Sequence, residues 1–129
     1  MADARSPVDV TTRHFGNVAV VTPTGRIDQS SASTLESALS PLWARADIAS
    51  LVLDFSGIEY ISSVGLRVLM IAARQMRGRR ARIAVSGLQS VVAEIFAISR
   101  FNTVLEVFPT VRDALVALSA EAAAAYDAG

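Results

Sequence analysis

The chain contains no cysteine. Disulfides, thiolate catalysis and every Cys-ligated metal site are therefore excluded. It has one histidine, His14. That is too few for a multi-histidine zinc site and leaves one candidate base for a Ser-His-Asp triad. Lysine is absent too: all 12 cationic side chains are arginine, which reads as the coding bias of a GC-rich genome. Asp and Glu also total 12, so the net charge is +0. The excess cation that a general nucleic-acid binder needs is missing, and no direct nucleic-acid partner is expected. No apolar run is long enough to cross a bilayer. Residues 1–7 lack the apolar stretch of a signal peptide. The expectation is a cytoplasmic protein with no membrane insertion, no cofactor and no metal.

What is present is mainly apolar. The 129 residues are 52% hydrophobic, enough for one core and too apolar for a disordered chain. Residues 1–129 read as a single domain, with a core over about 8–117. The Ala-rich tail, 120–129, is expected to fray.

The spacing of apolar residues gives the element order. Val8 to Arg13 and Asn17 to Thr24 read as strands around a turn at His14-Phe15-Gly16-Asn17. Ala32 to Ala44 has helical spacing in Leu35, Leu39 and Leu42, with Pro41 as a conflict near its end. Asp28, Ser30 or Ser31 is placed to cap it. Leu51-Val52-Leu53 suits a strand buried on both faces. Ser56 to Ile61 reads as a loop and Ser63 to Arg77 as a helix stopped by Gly78. Ala81 to Val85 is a strand, Gln89 to Ile98 a helix, Leu105 to Phe108 a strand and Val111 to Ala124 a helix. The order β-β-α-β-α-β-α-β-α implies an α/β fold with a mainly parallel sheet.

One stretch carries chemistry: the strand ending at Asp54, the loop, then Ile61-Ser62-Ser63-Val64-Gly65-Leu66. A serine at a helix N-cap satisfies orphan amides. The same amides and the positive end of the helix dipole would also hold a phosphate. Either serine can be a cap alone. A nucleophile elbow shares this strand–turn–Ser–helix context. It fails here, because the first glycine of that motif is missing and His14 precedes the serine in the chain.

Three patterns in order resemble the STAS domain, and within it the bacterial anti-sigma factor antagonists, over about Val8 to Ala117. Gly25-Arg26-Ile27-Asp28 is similar to the family's turn before the first helix. Leu51-Val52-Leu53-Asp54 is similar to its central strand. Tyr60-Ile61-Ser62-Ser63-Val64-Gly65-Leu66 is similar to its phosphorylation loop. The resemblance implies a STAS-like mixed sheet of four to five strands, the first at an edge, with about four helices packed mainly on one face. It implies a non-enzymatic, partner-switching regulator of transcription. Ser63 aligns with the phosphorylated serine, Val64 with the Ser/Thr after it, and Ser62 stands where an Asp is usual. The implied partners are a serine kinase that is also an anti-sigma factor, and a phosphatase; the chain itself is expected to be a monomer or weak dimer. The alternative is a constitutive interaction module of a transport or stress-sensing assembly, never phosphorylated.

Other residues have two readings each. Asp28 caps the first helix or lies on the partner-facing rim. Arg67, four residues after Ser63, is an ordinary exposed side chain or reaches a phosphate there. Asp54 holds the loop through backbone hydrogen bonds. Arg74, Arg77, Arg79, Arg80 and Arg82 form a basic cluster that reads first as a solvated helix end and second as a surface for an anionic partner.

Overall fold

The computed structural model describes residues 8–129. Alternating β-branched residues make β1 (Val8–Phe15) and β2 (Val18–Ile27) an antiparallel hairpin, closed by Gly16 at φ +58. The chain continues through α1 (Ala32–Trp43), β3 (Ser50–Asp54), β4 (Ile58–Ile61), α2 (Ser63–Gly78), β5 (Arg82–Ser86), α3 (Ser90–Ile98), a 3₁₀ turn (Phe101–Thr103), β6 (Glu106–Phe108), α4 (Val111–Leu118) and α5 (Ala120–Ala128). The sheet has six strands in the order β1-β2-β3-β5-β6, with β4 alongside the end of β2. Every pairing after the hairpin is parallel. The mixed sheet and the edge position of β1 agree with the sequence.

Strand alternation divides the core. Ala19, Val21, Leu51, Leu53 and Val85 face one layer, built from Leu35 and Leu39 of α1, Leu69, Ala73 and Met76 of α2, and Val92 and Phe96 of α3. Val18, Val20, Val52 and Ala84 face the other, against Val111, Ala114 and Leu115 of α4 and Ala122 and Ala123 of α5. Three helices thus cover one face and two cover the other.

Three local readings differ from expectation. The segment read as a loop contains β4. Its Ile58 and Ile61 are buried and pair with the end of β2. A Cβ on Gly57 would lie 2.7 Å from Thr24 Cγ2, so the approach of the two segments requires glycine. The C-terminal helix is two helices, because Ser119 is extended, at φ −162. Its hydroxyl accepts a 3.1 Å bond from the Ala122 amide and so caps α5. The tail expected to fray is therefore ordered and packed. Ala122 and Ala123 are buried, the Tyr126 ring meets Phe15 edge-on at 5.2 Å, and Arg112 pairs with Asp127 at 3.0 Å. Small side chains let this helix lie close to its neighbours, which composition alone reads as low specificity.

α1 and α2 end within a residue of the sequence expectation. Pro41 is tolerated in α1 because it is exposed and in the last turn. Gly78 is the last residue of α2, but the left-handed position falls on Arg80, at φ +59. The Ala81 amide bonds to Met76 O at 2.8 Å and the Arg80 amide to Arg77 O at 3.0 Å, which is a Schellman ending. A non-glycine residue in this conformation costs roughly 1–2 kcal/mol. Arg80→Gly is expected to raise stability by about 1 kcal/mol, read from a urea or thermal melt.

Candidate partner-docking site

The site lies where β2 and β4 end side by side. The Ser62 amide bonds to Ile27 O at 2.8 Å, which fixes the start of α2 against the turn after β2. Ser62 is the N-cap: its Oγ accepts a 3.2 Å bond from the Gly65 amide. Ser63 is the first residue of the helix, and it is exposed. Its hydroxyl makes no hydrogen bond to the described residues. The two serines therefore divide the tasks that the sequence left open: Ser62 satisfies the helix, and Ser63 is free for chemistry. Ser62→Ala is expected to cost about 1 kcal/mol of stability through the lost cap, checked by denaturant melt.

Asp28 does not cap α1 in the usual way. The N-cap is Ser31, and no side chain caps the helix amides. Asp28 Oδ1 instead accepts from the Ser30 amide at 2.9 Å and from Ser30 Oγ at 2.7 Å, and lies 3.3 Å from Ser31 Oγ. The buried Ser31 hydroxyl also donates to Arg26 O at 2.7 Å and accepts from the Asp28 amide at 2.9 Å. The bonds from Ser30, then those from Ser31, hold the carboxyl below its ordinary pKa. Asp28 thus stays ionised and rigid on the rim of the turn beside Ser62.

Val64 and Arg67 are brought together with α1. They line an open groove of about 360 Å³ with Gln29, Ser33, Glu36 and Ile71. Val64 is 40% exposed. The α1 side of this groove was not legible in the sequence, because it depends on how two helices far apart in the chain pack. Arg26, whose guanidinium lies over the Tyr60 ring at 4.8 Å, extends the same end of the sheet.

The loop before β4 is held as expected. Asp54 Oδ1 accepts from the Ser56 amide at 3.1 Å and from Ser56 Oγ at 2.8 Å. Two arginines of the basic cluster have structural partners. Arg79 donates to Trp43 O at 2.8 Å and to Ile48 O at 2.6 Å, tying the end of α2 to the end of α1. Arg82 pairs with Glu106. His14 lies opposite Ala19 at the far end of β2 from Ile27, on the order of 25 Å along the strand from the Ser62 attachment. It cannot serve Ser63 as a base.

These features define an α/β module with an exposed serine hydroxyl at a helix start beside a small mixed groove. The STAS domain model matches residues 9–114, and the chain belongs to this family. The anti-sigma-F factor antagonist RsfB of Mycobacterium tuberculosis is 30% identical over 112 residues, 87% of this chain and 90% of RsfB. BtrV of Bordetella bronchiseptica, a proposed anti-sigma factor antagonist, is 37% identical over 101 residues, 78% of each chain. The crystal structure of an anti-sigma factor antagonist from Mycobacterium paratuberculosis superposes with a TM-score of 0.80 at 26% identity, over 86% of this chain and 93% of that one.

Proposed function

We propose that this protein is an anti-sigma factor antagonist: a non-enzymatic switch that binds a kinase/anti-sigma factor and is turned off by phosphorylation on Ser63. The docking surface is Asp28, Ser62, Ser63, Val64 and Arg67. A phosphatase resets the switch. One observation carries the reading. Ser62 caps α2 and leaves the Ser63 hydroxyl exposed with no structural task. The relatives' names support the same role.

The chemistry asks little of this chain. The partner kinase transfers the γ-phosphoryl group of ATP to Ser63 Oγ, ADP leaves, and the hydroxyl proton goes to a base on the kinase. This chain presents the hydroxyl on a rigid helix start. The product adds about −1.5 to −2 charges, which the helix dipole stabilises in place. A partner that buries the same surface must then desolvate a dianion, and binding is lost. Incubation with the kinase and ATP, followed by intact mass and site mapping, tests this. One phosphoryl group on Ser63, absent in Ser63→Ala, is expected. No phosphate with a competent kinase would instead favour a constitutive interaction module, a reading that draws on Ser62 standing in place of the usual Asp.

Arg67 supplies a second handle on the phosphoform. At four residues' spacing its Cβ lies about 5–6 Å from that of Ser63. With the guanidinium brought to about 5–6 Å from the phosphate, a unit charge contributes roughly 0.7 kcal/mol in a water-like dielectric. Arg67→Ala is expected to raise the second pKa of phosphoserine 63 by about 0.5 unit, because the dianion loses a cation. Phosphorus NMR titration at low salt reads this directly.

A further inference from the structure

We infer that the outer edge of β1 is a self-association surface whose partner is a second copy of this chain, paired antiparallel about Thr11 across a two-fold axis. β1 is eight residues long and pairs without a register shift from Val8↔Gly25 to Phe15↔Val18. No other strand among the described residues covers its outer edge. The opposite edge, β6, is three residues long. Proteins shield open edges with short strands, charged side chains, proline or bulges. β1 is long, unbulged and free of proline, and its only shielding charges are Asp9 and Arg13.

Its charges are arranged for a symmetric partner. Asp9, Thr11 and Arg13 are exposed and, by alternation, share one face of the strand. Asp9 and Arg13 lie roughly 13 Å apart along that face, too far to meet within one chain. Neither is in an ion pair among the described residues. Arg13 rests over the Phe15 ring at 5.1 Å, an exposed contact it can leave. In an antiparallel pair centred on Thr11, each residue faces the one equally far beyond Thr11 on the other copy. Asp9 then faces Arg13 of the second copy, and Arg13 faces its Asp9. Two ion pairs form on either side of a Thr11–Thr11 pair, the cross-strand contacts that stabilise sheets.

Other registers lose this. A shift of one residue sets Asp9 against His14 and Arg13 against Val10. A shift of two sets Asp9 against Phe15. Parallel pairing brings like charges together. The antiparallel arrangement also places the two Ser63 loops at opposite ends of the joined sheet. Both stay open, so the inference stands apart from the proposed switch.

Analytical ultracentrifugation of the full chain over a concentration series tests it, with circular dichroism to verify folding. Wild type is expected to shift from monomer to twice that mass. Asp9→Arg and Arg13→Asp each set like charges across the axis, and each is expected to weaken association roughly ten- to a hundred-fold. An equimolar mixture of the two variants is expected to associate again, because each supplies the charges the other needs. A wild type that stays monomeric to its solubility limit would overturn the inference. So would a dimer that neither variant weakens, or a mixture no more associated than its parts.

Discussion

Ser63→Glu is expected to weaken binding to the cognate kinase/anti-sigma factor by about ten- to a hundred-fold, with little change in the stability of the protein. The reason is the division of labour at the start of α2. Ser62, not Ser63, accepts the Gly65 amide, so changing Ser63 leaves the cap in place. Its side chain is exposed, and exposed substitutions away from such features usually fall within about 0.5 kcal/mol. A carboxylate at the first helical position is even favourable to the helix dipole in the free protein. In the complex the same charge sits on a surface the partner must dehydrate. One uncompensated charge there costs roughly 1.4–3 kcal/mol, a ten- to hundred-fold loss of affinity. Ser63→Ala is expected to bind as wild type does and to accept no phosphate. Isothermal titration calorimetry with the kinase, beside urea melts of both variants, separates binding from stability. If Ser63→Glu binds as tightly as Ser63→Ala, the Ser63 surface lies outside the interface and the switch has another basis.

The alternation of strands and helices and the serine pair were legible because they rest on local chemistry. Leu51-Val52-Leu53 suits a strand buried on both faces, and all three side chains are fully buried. A serine before an apolar helix is a cap by its hydrogen bonding, whichever fold surrounds it. What local pattern could not decide was which of two adjacent serines holds the cap. That depends on the Ile27 O to Ser62 amide bond, a contact between segments far apart in the chain. β4 was hidden for a related reason. Four residues are too few to show a period, and their pairing with β2 depends on Gly57 packing against Thr24. The order of the tail is not legible in its composition, because alanine carries little pattern. Its order comes from the Ser119 cap and from Tyr126 reaching Phe15. The α1 side of the docking groove arises only when two helices pack, so Glu36 and Gln29 carried no signal of their own.

Gly65→Ala is expected to destabilise the protein by about 2 kcal/mol, against the usual sign for this change in a helix. Alanine in place of glycine ordinarily gains up to about 1 kcal/mol from backbone entropy. Here a Cβ would lie 2.6 Å from Ile27 Cγ2 and 2.7 Å from Ile61 Cγ1. Both isoleucines are buried, at 0% and 1% exposure. The clashing atoms are next to the branch points, so neither can swing away without leaving its rotamer. The start of α2 must lift instead. Overpacking of this kind costs typically about 1–3 kcal/mol, and two clashes with atoms so close to the backbone place it at the upper end. The net effect is therefore a loss. The same displacement would move Ser62 and Ser63 relative to Asp28, so partner binding should fall although no docking residue has changed. A double-mutant cycle with Ile27→Ala isolates the cause. Removing Cγ2 makes room for the new methyl, and the double variant should be less destabilised than the sum of the singles by about 1 kcal/mol or more. If Gly65→Ala proves stabilising, helix propensity outweighs the contact. The close approach of α2 to β2 and β4 would then not be what selects glycine at this position.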